Sequence, residues 1–233
     1  MEIFNEWLVF SLILLGVWLI VFLLGKNTRK EMFFVSLFTM PFGLTEPLFV
    51  PEYWNPPSLF NLAATTGFDI ESLIFTFAVG GIGSVIYESI FKSRQIKMNK
   101  QEMHSKRHQY HLLALFSPVI VFILLFFLTK LNPIYSASIA LFVGGIATIL
   151  CRPDLKKEIL YSGLIFLGIY FVFFLFFNLA YPFAVERFWN LSAISGILVL
   201  GVPLEELIFA MVYGLMWGSV YEHVLWYKAK RDN

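Results

Sequence analysis

Long apolar segments, separated by short clusters of polar and charged residues, run through the whole of this chain. A helix needs about 20 mainly apolar residues to cross the roughly 30 Å hydrocarbon core of a bilayer. Segments of that length predict seven membrane-spanning helices. They cover residues 7–24, 33–50, 70–91, 112–128, 134–150, 160–180 and 202–226. Residues 191–201 are also apolar, and we expect a short interfacial or re-entrant segment there, followed by a helix that Pro203 opens.

The composition supports an all-α integral membrane protein. Of 233 residues, 58% are apolar and only 14% are charged, whereas a soluble protein carries about a quarter charged residues. The 17 Lys and Arg balance the 16 Asp and Glu. The chain therefore lacks the excess of positive charge that would indicate a nucleic-acid partner. The single cysteine, Cys151, has no partner for an internal disulfide, and no Cys/His spacing predicts a metal site.

The positions of the cations predict an orientation. Fifteen of the 17 Lys and Arg fall in segments on one side of the predicted helices, and only Lys130 and Arg187 fall on the other. Because cationic short loops stay in the cytoplasm, we expect a protein of the cytoplasmic membrane with its N-terminus on the outer side and its C-terminus on the cytoplasmic side. Glu2 and Glu6, rather than cations, precede the first segment, so we expect it to remain as a helix and not to be a cleaved signal peptide.

The chain contains an internal repeat. Residues 68–88 align without gaps on residues 202–222, with seven identical positions, and a one-residue gap extends the match upstream. The identical pairs include Glu71/Glu205, Phe75/Phe209, Glu88/Glu222, Trp54/Trp189 and Asn55/Asn190. We therefore expect a seven-transmembrane-helix bundle of two parallel three-helix repeats, helices 1–3 and 5–7, joined by helix 4. The predicted segments are 1–93, 94–131 with the basic loop and helix 4, and 132–233.

Four carboxylates are predicted to lie at one depth. At 1.5 Å per residue, Glu71 is about 25 Å along its helix from Glu88, and similar spacing brings Glu46, Glu205 and Glu206 to the same level. No Lys or Arg lies within any predicted span. A neutral carboxyl group in such a cluster is a proton donor and an ionised neighbour is a proton acceptor. Because adjacent helical residues point in different directions, we expect Glu205, rather than Glu206, to face the bundle axis.

Other polar residues are expected to have structural roles. Glu88 and Glu222 end their predicted helices beside cations, which favours interfacial ion pairs. Those cations are Lys92, Arg94 and Lys228. Asp69 is expected to be a helix N-cap. Three histidines share one helical face next to five cations, which indicates a solvated basic loop rather than a metal site. They are His104, His108 and His111.

The motifs PLEELIF at residues 203–209, its echo around Glu71, and PFGLTEP at residues 41–47 resemble the membrane-integral lycopene cyclase family. That family consists of two homologous helical domains, on separate subunits or fused, and the resemblance implies that both are present in this chain. The resemblance implies redox-neutral cyclisation: an acid protonates a terminal double bond of a linear carotene, the cation closes into a ring, and a base removes a proton. It implies that Glu205 and Glu206 are the motif carboxylates and that Glu71 is their partner.

The first half departs from the family pattern, with Asp69 where the second half has Pro203 and Ser72 where it has Glu206. The two halves therefore differ at one of the two motif carboxylates. No GxGxxG motif follows a strand, and we expect no strand and no bound redox cofactor.

Aromatic and amide side chains near the carboxylates are expected to contact the substrate, because ring faces stabilise a cation. They are Phe75, Phe209, Trp54, Trp189, Asn55 and Asn190. The expected partners are a lipophilic polyene, lycopene or a related carotene, and membrane lipid. Whether the chain forms a homodimer is left open.

Three other functions compete with a cyclase. A retinal photoreceptor needs a Schiff-base lysine in the seventh helix, and residues 202–226 contain none. A proton-coupled transporter would use the same acids, but the predicted spans have apolar middles with glycines that favour close helix packing. Those glycines are Gly80, Gly81, Gly144 and Gly145. A non-catalytic carotenoid or isoprenoid binder remains an alternative.

Overall fold

The computed structural model of the chain describes residues 5–92 and 94–230 and is mainly helical. Glu2 and Arg231, which entered the charge arguments, lie outside the described residues. Within that part, five helical segments are long and apolar enough to cross a membrane. They are Glu6–Leu24, Ile70–Phe91, Lys106–Leu128, Pro133–Cys151 and Pro153–Ala180. The count of seven crossings and the orientation stay predictions.

The α-helices and strands have the following bounds. The helices are α1 Glu6–Leu24, α2 Arg29–Thr39, α3 Leu62–Thr66, α4 Ile70–Phe91, α5 Lys100–Met103, α6 His111–Leu128, α7 Pro133–Cys151, α8 Lys156–Ala180, α9 Ala184–Phe188, α10 Leu204–Trp217 and α11 Val220–Leu225. The strands are β1 Arg94–Lys97, β2 Leu198–Val199, β3 Val202–Pro203 and β4 Tyr227–Lys230.

The expectation of no strand is wrong. Strand β1 pairs antiparallel with β4, and β2 pairs antiparallel with β3. Strand β1 follows α4, β3 leads into α10, and β4 follows α11. Backbone groups there lack helical partners, so short extended segments hydrogen-bond to each other instead.

Two of the predicted spans are not continuous α-helices. In residues 33–50, α2 ends at Thr39 and a 3₁₀ helix, Met40–Leu48, follows. Pro41 and Pro47 remove N–H donors from that segment, which disfavours an α-helix. In residues 202–226, Gly218 and Ser219 separate α10 from α11. Pro203 lies in β3, so α10 begins one residue later than expected.

Residues 191–201 form a short 3₁₀ helix, Leu191–Ala193, followed by β2, which pairs back onto β3. This hairpin leads directly into α10. Its position places the two glutamates of the PLEELIF motif in the first turn of a helix.

The contacts divide the chain into two compact units. The first unit contains the residues up to Ile82 together with Tyr170–Leu207, and the second contains Gly83–Ile169 and the residues from Ile208 onward. The helices α4, α8 and α10 each contribute residues to both units. The division predicted from the internal repeat, at residues 1–93, 94–131 and 132–233, differs from this division by contacts and stays a prediction.

The first unit is held together by close helix packing and by aromatic rings. A methyl group at Gly80 would overlap the Thr39 side chain, and one at Gly81 would overlap the side chains of Ser36 and Trp18. The indole Nε1 of Trp18 donates a hydrogen bond to Ser36 Oγ at 2.8 Å. The packing role predicted for these two glycines is therefore confirmed.

The second unit has a core of aliphatic side chains, in which Leu155, Ile159, Val212 and Leu215 are buried. Gly144 packs tightly against the side chains of Pro118 and Met216, and Gly145 is at ordinary contact distance from Leu215. Helices α6 and α7 pack side by side in this unit.

Candidate functional site

All four carboxylates predicted from the sequence are buried in the first unit. Glu46, Glu71, Glu205 and Glu206 are each no more than 7% exposed. Glu46 lies within electrostatic reach of Asp69 and Glu71, and Glu206 lies within reach of Glu205. The unit therefore holds one carboxyl group from the 3₁₀ helix, two from the start of α4 and two from the start of α10.

Glu206 is the centre of a buried hydrogen-bond network. Its Oε1 accepts hydrogen bonds from Tyr53 Oη at 2.5 Å and from Trp189 Nε1 at 2.9 Å, and its Oε2 accepts one from Tyr170 Oη at 2.7 Å. The three donors come from the loop before α3, the residue after α9, and α8. They fix the position of the carboxylate in a site that is closed to solvent.

Sequence reasoning missed Tyr53 and Tyr170 as site residues. In the repeat alignment Tyr53 corresponds to Phe188, so it gives no identity signal. Tyr170 lies outside the aligned residues in the apolar α8 segment. A tyrosine inside a membrane-spanning segment is the one signal that pointed to it, because a buried hydroxyl needs a hydrogen-bond partner.

The expectation that Glu205 faces inward and Glu206 does not is wrong, since both are buried. Glu205 Oε1 accepts a hydrogen bond from the Ser195 N–H at 2.9 Å, so the segment between α9 and β2 covers that side of the helix. The aromatic network covers the other side. Two adjacent residues can both be buried here because the first turn of α10 is enclosed on two faces.

The carboxylates of the first repeat have different partners. Glu71 Oε1 accepts hydrogen bonds from Asn5 Nδ2 at 2.9 Å and from the Leu59 N–H at 2.6 Å. Ser72 Oγ donates to Glu46 Oε2 at 2.5 Å. Asp69 Oδ1 accepts the Ser72 N–H at 2.5 Å, which confirms its predicted role as an N-cap. Ser72 stands where the second repeat has Glu206, so here a hydroxyl donates to a carboxylate from another helix.

The two Trp-Asn pairs meet in the first unit. Trp54 and Trp189 form an isolated antiparallel β-bridge, and their ring centroids are 5.5 Å apart. The Asn55 N–H donates to the Phe188 carbonyl at 2.7 Å and the Asn190 N–H to the Tyr53 carbonyl at 2.8 Å. The repeated tryptophans thus hold two loops together directly beside Glu206.

An aromatic cluster extends from these tryptophans. Trp7 contacts the rings of Trp54 and Phe75, with centroids at 4.7 and 5.1 Å, and Phe174 contacts Trp189 at 5.4 Å. Phe209, which was also expected at the substrate, belongs to the second unit, where its ring stacks on Tyr213. Five of the six expected substrate contacts therefore lie in the unit that holds the carboxylates.

A family model described as lycopene cyclase matches residues 132–224. This region is similar to the lycopene cyclase family. The resemblance stated from the motifs is thereby confirmed over these residues, which include Tyr170, Trp189, Glu205 and Glu206. Neither the curated proteins nor the solved structures compared with the chain gave a match.

Similarity to the lycopene cyclase family over residues 132–224 suggests an enzyme, and the activity that it suggests is cyclisation of a carotenoid. It also implies a lipophilic carotene as the substrate, and with the apolar helices it indicates a membrane protein. Glu46 and Glu71 lie outside the matched residues.

The second unit holds a group of three buried carboxylates, two of which, Glu88 and Glu222, were expected to form interfacial ion pairs. Glu88, Glu158 and Glu222 each place an oxygen within 4.8 Å of the others, and all three are buried. The expected ion pair of Glu222 with Lys228 does not form, because Lys228 pairs with Glu102 and Gln95 donates to Glu222. The Lys228 ammonium, with the Asn99 N–H, holds the pKa of Glu102 below its usual value.

His111 is buried rather than solvated, which corrects the interpretation of the three histidines as one basic loop. Only the segment up to Tyr110 forms a 3₁₀ helix at the surface, and His111 begins α6. Its ring lies beside Cys151 and His223. These residues come from three helices, so no spacing along the chain could indicate that they meet.

Proposed function

We propose that this chain is a carotenoid cyclase that closes the end group of a linear carotene by redox-neutral acid/base chemistry within the cytoplasmic membrane. The observation that carries the proposal is the buried Glu206 carboxylate with its three donors, Tyr53, Tyr170 and Trp189. The family match over residues 132–224 supports the substrate class.

The proposed reaction adds one proton and removes another, so it needs no oxidant or reductant. A carboxyl group protonates the terminal double bond, the resulting carbocation is attacked by a second double bond to form the ring C–C bond, and a carboxylate takes a proton from the adjacent carbon. The product has the same composition as the substrate. The enzyme ends with one proton moved between its own groups.

Glu206 is the proposed proton acceptor. Its two oxygens accept three hydrogen bonds from neutral donors, and an ionised carboxylate is the form that can only accept. Tyr53, Tyr170 and Trp189 orient it and hold it in place as the positive charge develops. Glu205, the adjacent motif carboxylate, is held by one backbone N–H from the neighbouring loop.

The proton donor is proposed to come from the remaining buried carboxyl groups of the unit. Glu46 lies within electrostatic reach of both Asp69 and Glu71. A protonated carboxyl group in this cluster could transfer its proton to an alkene. Glu71 carries the repeat position equivalent to Glu205.

Aromatic rings beside Glu206 are proposed to stabilise the cationic intermediate. Trp189 donates to Glu206 through Nε1 while its ring lies beside Trp54 and Phe174. Ring faces attract a cation, and a hydrocarbon substrate offers no polar group for direct recognition. The backbone N–H groups of Asn55 and Asn190 hold together the two loops that carry these rings.

Expression in a bacterial host that accumulates lycopene tests this proposal. Chromatography of the extracted pigments should show one-ring or two-ring products with the unmodified chain. Glu206→Gln should lower product formation by about 10² or more, the usual effect of losing a general acid or base. Glu205→Gln and Glu71→Gln tell whether those carboxylates share the role.

Glu186→Gln is the matched control, because Glu186 is exposed in α9 of the same unit, and this variant should keep full activity. Unchanged lycopene with well-inserted unmodified protein contradicts the proposal. If lycopene then co-purifies with the protein, the non-catalytic binder is the correct function.

A further inference from the structure

Three side chains with nitrogen and sulfur ligand atoms converge in the second unit, away from the carboxylates proposed to carry out cyclisation. His111 is the first residue of α6, Cys151 the last of α7, and His223 lies in α11. They are 8%, 5% and 0% exposed, respectively. One ligand atom from each lies within 4.8 Å of the others.

We propose that His111, Cys151 and His223 form a binding site for a divalent transition-metal ion of the zinc class. Two imidazole nitrogens and a thiolate are ligands that Zn²⁺ and Co²⁺ bind well, and they are poor ligands for Mg²⁺ or Ca²⁺. Three protein ligands leave the fourth tetrahedral position open.

The distances suit one shared ion. Cys151 Sγ and His111 Nδ1 are 3.6 Å apart. A tetrahedral ion with a metal–sulfur bond of about 2.3 Å and a metal–nitrogen bond of about 2.0–2.1 Å separates its sulfur and nitrogen ligands by about 3.6 Å. The rings of His111 and His223 are nearly perpendicular, with centroids 4.5 Å apart, and a ligand atom of each lies within 4.8 Å of the other.

His223 supplies an independent sign of a missing ligand. Its Nε2 is buried and has no hydrogen-bond partner among the described residues. Its other nitrogen, Nδ1, lies 3.3 Å from Thr148 Oγ1. A hydrogen bond at Nδ1 fixes the tautomer and leaves the lone pair of Nε2 for a metal, the arrangement usual for metal-binding histidines.

The charge around the site is compatible with a cation. The charge of the Arg152 guanidinium reaches both His111 and His223, and the carboxylate of Asp154 offsets it. Asp154 pairs with Arg152 at 2.7 Å. The Cys151 thiolate adds a negative charge when the ion binds, because metal binding displaces the thiol proton.

A groove reaches the cysteine. This groove of about 490 Å³ has Cys151 at its wall, and its mainly apolar lining includes the polar side chains of Arg107, Tyr110 and Ser117. Cys151 therefore borders space outside the helix core.

The test uses the full chain, purified in detergent with a tag that contains no histidine, and titrated with Co²⁺. Because Cys151 is the single cysteine, a thiolate-to-cobalt charge-transfer band can come only from this residue. We expect one Co²⁺ per chain, a charge-transfer band, and visible d–d bands of four-coordinate intensity. Zn²⁺ should displace Co²⁺ and abolish both sets of bands.

The variants identify the ligands. Cys151→Ser should remove the charge-transfer band, and His223→Ala and Thr148→Val should each weaken Co²⁺ binding by at least about tenfold. His104→Ala, an exposed histidine, is the control and should bind as the unmodified chain does. Absence of the band in the unmodified chain overturns the proposal even if a variant fails to fold, and so does an unaltered affinity in folded His223→Ala. Failure of the cyclase assay has no bearing on either outcome.

Discussion

At the scale of single residues, Tyr53 shows how burial and a charged neighbour together set the chemistry of a side chain. Its hydroxyl is buried and donates to Glu206. Burial raises the pKa of Tyr53 well above its usual value, and the nearby Glu206 charge raises it further. Tyr53 therefore stays a neutral donor to Glu206 throughout the neutral and mildly alkaline range.

Tyr53→Phe should destabilise the protein by about 1–3 kcal/mol at pH 7, because it removes a hydrogen bond to a carboxylate. The folded-state pKa of Tyr53 is raised, so its proton is lost from the unfolded chain first as the pH rises. The stabilisation by Tyr53 is complete below about pH 10, the ordinary tyrosine pKa, and is lost above it. Thermal unfolding between pH 7 and pH 11 should show the difference between the two proteins narrowing above pH 10.

Tyr110→Phe serves as the comparison, since Tyr110 is 63% exposed and its removal should change stability by less than about 0.5 kcal/mol. A difference between unmodified protein and Tyr53→Phe that widens above pH 10 would contradict the assignment of Tyr53 as a protonated donor.

At the scale of elements, the length of the apolar segments predicted the long helices well and the interrupted helices poorly. Residues 7–24, 70–91, 112–128, 134–150 and 160–180 all correspond to helices that are long enough to span a bilayer. The segments 33–50 and 202–226 are also apolar enough to be predicted as spans, but prolines or a Gly-Ser pair interrupt their α-helices. Hydropathy averages over such residues, whereas backbone hydrogen bonding depends on each one.

Gly81→Ala tests the close packing of α4 against the residues of α1 and α2. The added methyl group would overlap Ser36 and Trp18, so the helices must separate or the Trp18–Ser36 hydrogen bond must break. We expect a loss of about 1–3 kcal/mol, the usual effect of overpacking, measured as a lower thermal midpoint in detergent.

Gly16→Ala is the matched substitution, because a methyl group there has no atom within 4 Å. It should be neutral or should stabilise α1 by up to about 1 kcal/mol, since alanine favours a helix over glycine. Equal destabilisation by both substitutions would show that detergent stability reports something other than this contact.

At the scale of the whole molecule, contacts between distant parts of the chain were beyond sequence reasoning. Tyr53 and Glu206 are 153 positions apart, and Thr148 and His223 are 75 apart. The repeat alignment detects identical positions, so it found Glu71, Glu205 and the tryptophans. It could not find Tyr170 or the His111 cluster, because neither has an identical counterpart at an equivalent position. The four carboxylates could be singled out from the sequence because acidic residues are rare in membrane-spanning segments. Where they occur, such residues face the protein interior, which is consistent with their burial here.

The predicted orientation can be tested across a single helix. Lys130 precedes α7 and Lys156 begins α8, and both are exposed. In a Cys151→Ser background, Lys130→Cys should react with a membrane-impermeant maleimide in intact cells. Lys156→Cys should react only after the membrane is permeabilised, because cationic loops remain in the cytoplasm.

Reaction of both cysteines in intact cells would show that α7 does not cross the membrane. The opposite pattern would show that it crosses in the reverse direction, with the N-terminus inside. Mass spectrometry of the labelled protein gives the extent of reaction for each position.

The discontinuous first unit has a consequence for biosynthesis. Its opening segment, up to Ile82, leaves the ribosome long before Tyr170–Leu207 is translated. During that interval Trp54 has no Trp189 to pair with, and the Tyr53 hydroxyl has no Glu206 to donate to. The network around Glu206 can therefore form only after residues 189–206 have been made.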